Sequence, residues 1–220
     1  MTGFEISLLN IEGDKQFTAS QRAIEELVAS FRVGLDGEIS PTMWSRRIGK
    51  RDAILGQQAA IGWHLLYPAE LLHIMTHANG RGNAVRTRWW GLGKTNFAIG
   101  DLVAYVDGCE GDEDFEYPDF DCILMDGCRT YSKTWFDKVA RILAPGRQCV
   151  YIGTTKEVDW QECTTYTSAF YLSFLQKGRP AKREGIRAAF EKAHEDATIF
   201  YHQVRPNACP FRVEVITSTR

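Results

Sequence analysis

At 220 residues, the chain is long enough for one domain with a full hydrophobic core or for at most two small domains. With 44% hydrophobic and 25% charged residues it has the composition of an ordinary soluble globular protein, and no run of about 18 apolar residues predicts a transmembrane helix. A net charge of −2 argues against nucleic-acid binding, which usually needs a strongly basic face.

The first part of the chain predicts one strand and two helices. Residues 4–11 predict the strand, and Thr18 and Gln21 then have the spacing of a helix capping box. The apolar residues that follow recur at helical intervals: Ile24, Leu27, Val28 and Phe31. Residues 33–51 are rich in glycine and charge and predict a short hairpin or an irregular loop. A second helix is predicted over residues 52–64.

The middle of the chain contains an apolar run that ends in a histidine. Residues 70–77 predict a buried strand that ends at His77, before a glycine-containing loop. Residues 88–95 suggest a β-hairpin or a loop, and residues 110–121 form an acidic stretch. Between these two segments lies another helical stripe: Ile99, Leu102, Val103 and Val106.

A second apolar run ends in a cysteine. Residues 121–128 predict another buried strand, which ends at Cys128. A helix is predicted near residues 134–143, followed by a strand over residues 148–152 that Gly153 closes.

The last part of the chain predicts two helices and a strand. One helix covers residues 159–176 and ends at Gly178. Pro180 opens the next helix, which runs through Ala197. Residues 211–216 alternate like a half-exposed strand.

Strands alternate with helices throughout, which predicts a single three-layer α/β domain over residues 1–220 with a mostly parallel sheet.

The six cysteines form no Cys-x-x-Cys pair, and Cys122 and Cys149 lie inside apolar runs. Buried free thiols in a reducing cytosol explain this pattern better than disulfides or zinc. The N-terminus lacks the basic start and apolar stretch of a secretory signal. We therefore expect a cytoplasmic protein.

The two apolar runs deliver a candidate catalytic pair. His77 precedes Cys128 by 51 residues, and parallel strands bring their carboxyl ends to one edge of a sheet. A nearby imidazole can generate the reactive thiolate and then protonate the leaving amine. Gly127 permits a sharp turn and a close approach of substrate backbone. The backbone N–H of Cys128 and one from the segment after His77 are candidate oxyanion donors.

Both residues also have plainer interpretations. A histidine at the end of an apolar run is more often a satisfied structural residue, and a buried cysteine is more often inert. Of the five histidines, only His77 ends a strand before a glycine-containing loop. His73, in the same strand, is expected to lie in the core.

At these residues the chain resembles the caspase-like superfamily of cysteine peptidases, which includes caspases, paracaspases, metacaspases and bacterial CHAT domains. Residues 153–159 and the two helices after them look most like a CHAT domain. The resemblance implies about six mostly parallel strands with helices on both faces. It also implies endopeptidase cleavage of a protein or peptide substrate without cofactor or metal, with His77 as acid and base and Cys128 as nucleophile. Where the family usually has an oxyanion-hole glycine after the histidine, this chain has Ala78.

The resemblance further suggests a preference for arginine or lysine at the P1 position. Asp126 lies two residues before Cys128, where metacaspases and paracaspases have the aspartate of their P1 pocket. A carboxylate beside the nucleophile attracts a cationic side chain and repels an anionic one. Glu157 and Asp159 are candidates for a second pocket carboxylate. The alternatives are a strand-end turn residue at Asp126 and a helix N-cap at Asp159.

The short stretch of about 20 residues between Cys128 and the next strand predicts a peptidase that works uncut. Such an enzyme must be held in check by an activating or inhibiting protein partner, by a ligand or by its own loops, and the CHAT-like features suggest a bacterial stress or defence pathway. One alternative is a catalytically inactive caspase-like binding domain, which Ala78 and Asn79 favour. Another is a flavodoxin-like ligand-binding domain, because strand ends also face a crevice in that fold.

Overall fold

The structure, a computed structural model, describes residues 3–10, 15–34, 41–47, 69–78, 84–88, 94–98, 103, 106–111 and 115–220. Its strands and longer helices have the following bounds: β1, Glu5–Asn10; α1, Lys15–Gly34; β2, Thr42–Arg47; β3, Leu71–Met75; β4, His77–Ala78; β5, Ala84–Arg88; β6, Lys94–Ala98; β7, Cys122–Asp126; α2, Lys133–Ile142; β8, Gln148–Thr154; α3, Trp160–Lys177; α4, Arg183–Val204; and β9, Phe211–Thr217. Among the described residues, none of the helices is long and apolar enough to cross a membrane.

Six strands form the main sheet, in the order β2-β1-β3-β7-β8-β9. The first five are parallel, and β9 runs antiparallel to β8 at one edge. Every residue of β3 and of β7 is buried, because helices cover both faces of a sheet of this kind. A smaller antiparallel sheet contains β4, β5 and β6.

The core lies in two layers, one on each face of the main sheet. Side chains alternate along a strand, so Leu71 and Met75 of β3 face one layer while Leu72 and Ile74 face the other. The first layer packs against α1, α3 and α4 and is rich in aromatic side chains: Phe170, Tyr171, Phe174, Phe190 and Tyr201. The second layer packs against α2 through Trp135, Val139, Ala140 and Ile142.

Most of the predicted elements are confirmed. The strands predicted over residues 4–11 and 211–216 correspond to β1 and β9, and the apolar run that ends in Cys128 contains β7. The helices predicted over residues 134–143 and 159–176 correspond to α2 and α3. β5 and β6 pair as the hairpin that was one of two options for residues 88–95. A helix was also predicted from the apolar stripe that begins at Ile99. In that segment, Val103 and residues 106–109 are helical. The helix predicted over residues 52–64 lies outside the described residues.

Two predictions for the first part of the chain were wrong. Residues 33–51 were expected to form a hairpin or a loop, but Thr42–Arg47 form β2, which pairs in parallel with β1. The capping-box residues Thr18 and Gln21 lie inside α1, which begins at Lys15. Gln21 does not cap the helix because its amide bonds Asn10 and Ser45.

Two smaller boundaries also differ. Gly153 does not close β8 but lies within it, since the strand continues to Thr154. The helix assigned to Pro180 begins at Arg183 and runs past Ala197 to Val204.

Candidate active site

Two neighbouring parallel strands bring the segments that carry His77 and Cys128 to the same edge of the sheet. β3 pairs with β7 in a register that sets Met75 opposite Asp126. One residue further on, the backbone N–H of Thr76 donates to the carbonyl oxygen of Asp126 at 2.9 Å. Because the carboxyl ends of parallel strands meet at one edge, the backbones that continue into His77 and Cys128 start side by side.

Gly127 allows the two strand ends to approach closely. A Cβ atom on Gly127 would lie 2.9 Å from the backbone oxygen of Thr76 and 3.1 Å from Cγ2 of Thr130. Such a contact with backbone is too short for a real side chain, so glycine is the residue that fits without a shift of the strands. Thr76 directly precedes His77, and Gly127 directly precedes Cys128. Their contact fixes where the two candidate residues leave the sheet.

His77 lies outside the six-stranded sheet. β3 ends at Met75, and His77 belongs to β4, where it pairs with Arg86 of β5. The strand that was expected to end in His77 therefore ends two residues earlier, because the backbone turns there into the smaller sheet. The side-chain positions of His77 and Ala78 lie outside the described part of the structure. Their roles as general acid-base and oxyanion donor stay predictions.

The thiol of Cys128 is half-buried and lies against the loop that follows β8. Its Sγ atom is 3.5 Å from the backbone nitrogen of Val158 and 3.6 Å from the carbonyl oxygen of the same residue. The next residue, Arg129, has a φ of 56°, in the left-handed region that side chains other than glycine seldom adopt. Its N–H donates to the carbonyl oxygen of Lys156 at 3.0 Å. Backbone strain held by surrounding structure is typical of functional sites.

Cys128 lines a cavity of about 290 Å³. The other lining residues come from α1, the two strand ends, the loop after β8 and the start of α3: Phe17, Thr76, Gly127, Val158, Asp159, Trp160 and Cys163. A ligand in this cavity meets mostly apolar walls, one half-exposed thiol and one carboxylate.

A larger cavity of about 380 Å³ lies between α1, α3 and α4, with Leu27, Leu172 and Phe200 in its walls. None of the described residues that line it is a cysteine or a histidine. We therefore place the candidate active site at the smaller cavity, which Cys128 lines.

Cys163 is a second thiol in the wall of the smaller cavity, and sequence reasoning missed it. Burial raises its pKa well above the ordinary value, and the negative charge of Asp126 adds to the rise. Cys163 therefore keeps its proton at neutral pH and is a poor nucleophile. Its position on the buried side of an amphipathic helix gives no sequence signal that separates it from other core cysteines.

Asp126 lies in the core beneath this cavity and does not belong to the described residues that line it. Its side chain is fully buried, and Oδ2 lies 3.0 Å from Nε2 of His73. Burial raises the pKa of Asp126, and the charge and hydrogen bond of His73 oppose that rise. Nδ1 of His73 lies 3.1 Å from the hydroxyl of Tyr171. His73 is fully buried, which confirms the prediction that it lies in the core.

The other two candidate carboxylates differ in their surroundings. Asp159 is the N-cap of α3: its side chain accepts from the N–H of Glu162 at 2.7 Å, and Glu162 bonds back to the N–H of Asp159. The N-cap alternative for Asp159 is confirmed, and Asp159 also lines the cavity. Glu157 is exposed, lies 3.5 Å from Arg129 and is not among the described residues that line the cavity.

Within the described ranges, no three His, Cys, Asp or Glu side chains are grouped so as to hold a metal ion.

No protein-family model matches the chain, and no curated protein resembles it in sequence.

Solved structures do resemble the chain. It is similar to the X-ray structure of a secreted C11 cysteine protease from Bacteroides thetaiotaomicron in complex with an irreversible peptide inhibitor, with a TM-score of 0.54 and 13% sequence identity. The match covers 91% of this chain and 59% of that chain, so this chain spans less than two thirds of that protease. The Arg-specific cysteine proteinase gingipain R has a TM-score of 0.49 and 11% identity, over 94% of this chain and 45% of that chain. At 13% identity the likeness to the C11 protease concerns the fold, and this chain has the predicted caspase-like α/β fold, with a mostly parallel six-stranded sheet between layers of helices.

Proposed function

We propose that the chain is a cysteine endopeptidase in which Cys128 is the nucleophile and His77 is the general acid and base. One observation carries this proposal: the contact between Thr76 and Gly127 brings together the residues that directly precede His77 and Cys128. A half-exposed thiol beside a cavity at the carboxyl edge of a parallel sheet is well placed to meet a peptide.

The reaction follows from the chemistry of these two side chains. His77 takes the thiol proton, and the thiolate sulfur of Cys128 forms a bond to the scissile carbonyl carbon. Backbone N–H groups of Cys128 and Ala78 are the proposed donors to the oxyanion. As the C–N bond breaks, His77 gives its proton to the leaving amine. Water then hydrolyses the thioester, with His77 as its general base, and the thiol is regenerated.

The proposed substrate class is a protein or peptide with arginine or lysine at P1. The aliphatic stem of such a side chain suits the walls formed by Phe17, Val158 and Trp160. Asp159 supplies a carboxylate in the lining, and Asp126 lies beneath it with an oxygen, Oδ1, that has no hydrogen-bond partner among the described residues. A buried carboxylate oxygen without a partner favours a cationic ligand.

A peptide library with mixed P1 residues tests the proposal. Native protein is expected to cleave after arginine or lysine, and Cys128→Ala is expected to abolish cleavage. Cys109→Ala is the matched control, because Cys109 is also half-buried but is not a lining residue of the cavity. Cleavage that survives in Cys128→Ala contradicts the assignment of the nucleophile. Absence of cleavage together with an unreactive Cys128 favours an inactive caspase-like binding domain instead.

A further inference from the structure

Three fully buried side chains form a hydrogen-bonded chain beneath the candidate active site. The Tyr171 hydroxyl lies 3.1 Å from Nδ1 of His73, and Nε2 of His73 lies 3.0 Å from Oδ2 of Asp126. Tyr171 belongs to α3, His73 to β3 and Asp126 to β7, so the chain crosses from the covering helix into two neighbouring strands. All three side chains have no exposed surface.

Several arrangements of donor and acceptor satisfy both contacts, because the roles of the ring nitrogens depend on the tautomer. In one of them Asp126 is ionised, the Tyr171 hydroxyl donates to Nδ1, and the Nε2 hydrogen of His73 donates to Asp126. Both ring nitrogens are then satisfied. Removing the Tyr171 hydroxyl takes away the donor that keeps Nδ1 as an acceptor, and Nε2 is then no longer fixed as the donor to Asp126.

This arrangement holds one oxygen of Asp126 and leaves the other without a partner. Oδ2 accepts from His73, whereas Oδ1 is buried and has no hydrogen-bond partner among the described residues. Asp126 directly precedes Gly127, and its charge acts on Cys163; both Gly127 and Cys163 line the cavity. The unpartnered oxygen therefore belongs to a carboxylate immediately beneath the wall of the cavity.

We propose that His73 and Tyr171 are positioning residues for specificity: Tyr171 fixes the tautomer of His73, and His73 holds Asp126 by Oδ2 so that Oδ1 receives the cationic end of an arginine or lysine side chain. The inference deepens the proposed function, and its substrate class rests on that function. Neither His73 nor Tyr171 touches the substrate in this arrangement, because both lie in the core behind Asp126.

Protection of Cys128 from iodoacetamide by butylguanidinium tests this without requiring cleavage. Butylurea is the uncharged control of the same shape. In the native protein, butylguanidinium is expected to slow alkylation of Cys128 at lower concentration than butylurea. Asp126→Asn is expected to remove the difference between the two ligands. If native protein shows no preference for butylguanidinium, the proposal is overturned.

Tyr171→Phe separates positioning from general stability. It removes one hydroxyl and is expected to weaken protection by butylguanidinium by about two- to tenfold, the effect of one hydrogen bond. Protection by butylurea and the alkylation rate without ligand should not change. Tyr166→Phe is the matched control, since it removes another Tyr–His hydrogen bond, to His194, from the same helix. Equal losses in both variants, or a loss for butylurea as well, would refute the inference.

Substitutions at His73 give a second, independent comparison. His73→Gln keeps an amide donor that can reach Asp126 and is expected to retain most of the protection by butylguanidinium. His73→Leu has no such donor and is expected to lose that protection. Similar protection in both variants contradicts the proposal. Cleavage after basic residues that does not respond to Tyr171→Phe would leave the peptidase assignment standing and remove the positioning role. Selective protection by butylguanidinium in a protein that cleaves no peptide would support the positioning role and contradict the peptidase assignment.

Discussion

The hydroxyl group of Tyr166 lies 2.6 Å from Nδ1 of His194, and this hydrogen bond joins α3 to α4. Burial lowers the pKa of His194 from 6.5 to about 4, and the charge of Arg212 adds to the effect. A neutral ring accepts from the Tyr166 hydroxyl, whereas a protonated one cannot. As the pH falls from 6.5 towards 4, the unfolded chain binds a proton here that the folded chain does not, so stability is lost on the acid side.

From the titration of His194 alone, we expect the free energy of unfolding to be lower by about 2 kcal/mol at pH 5 than at pH 8. His194→Gln does not titrate and should lack this part of the acid sensitivity. Urea unfolding of both proteins at the two pH values measures it. His202→Gln is the control, because His202 is exposed on the same helix, and it should behave as native. Identical acid sensitivity in native protein and His194→Gln contradicts the prediction.

Gly127→Ala tests the closeness of the two strand ends. The new methyl group would meet the backbone oxygen of Thr76, which cannot move without shifting β3. We expect the free energy of unfolding to fall by about 1–3 kcal/mol and peptide cleavage to fall with it. Gly108→Ala is the control, since a Cβ there has no heavy atom within 4 Å. Denaturant unfolding that shows no difference between these two variants counts against the contact.

Thiol reactivity distinguishes an activated Cys128 from an ordinary cysteine. Cys109 provides the comparison because it is also half-buried. We expect Cys128 to react with iodoacetamide near neutral pH at least about tenfold faster than Cys109, as measured by mass spectrometry of peptides from a time course. The remaining four cysteines are buried, and burial raises the pKa of each, so they should react last: Cys122, Cys149, Cys163 and Cys209. Equal rates for Cys128 and Cys109 would indicate an unactivated thiol.

Asp159 has two separable roles, as helix cap and as cavity carboxylate. Asn caps a helix about as well as Asp, so Asp159→Asn should keep the stability of the native protein. Asp159→Ala loses the bond to the N–H of Glu162 and should lower the free energy of unfolding by about 1 kcal/mol. Both variants lose the charge and should cleave after arginine less efficiently. If Asp159→Asn cleaves like native protein, the carboxylate acts as a cap alone.

The central strands could be predicted because helices bury them on both faces. β3 and β7 are therefore continuous apolar runs that stand out in the sequence. β2 could not be predicted in this way, since Thr42–Arg47 contains four polar or charged residues in a segment rich in glycine and charge. It is an edge strand whose regular structure comes from pairing with β1.

The candidate site was predictable only in part. The hydrophobic pattern of the sequence indicates where each strand ends, but it does not indicate which side chains of neighbouring strands contact each other. The contact between His73 and Asp126 joins residues 53 positions apart and depends on the register of β3 against β7. Alternation also explains where Asp126 lies: it shares a face of β7 with Cys122 and Leu124, which belong to the core layer under α3. The spacing of two residues predicted a carboxylate near Cys128, and the pleat of the strand places its side chain in the buried layer beneath the residues that line the cavity.

The contacts of the Cys128 sulfur with Val158 are made by backbone groups alone. The N–H of Val158 donates to Sγ at 3.5 Å, and Sγ lies 3.6 Å from the carbonyl oxygen of the same residue. A substitution at position 158 therefore leaves both contacts in place as long as the loop keeps its path, except for proline, which has no N–H. The polar surroundings of the sulfur thus depend on the shape of the loop after β8 and not on the identity of its side chains.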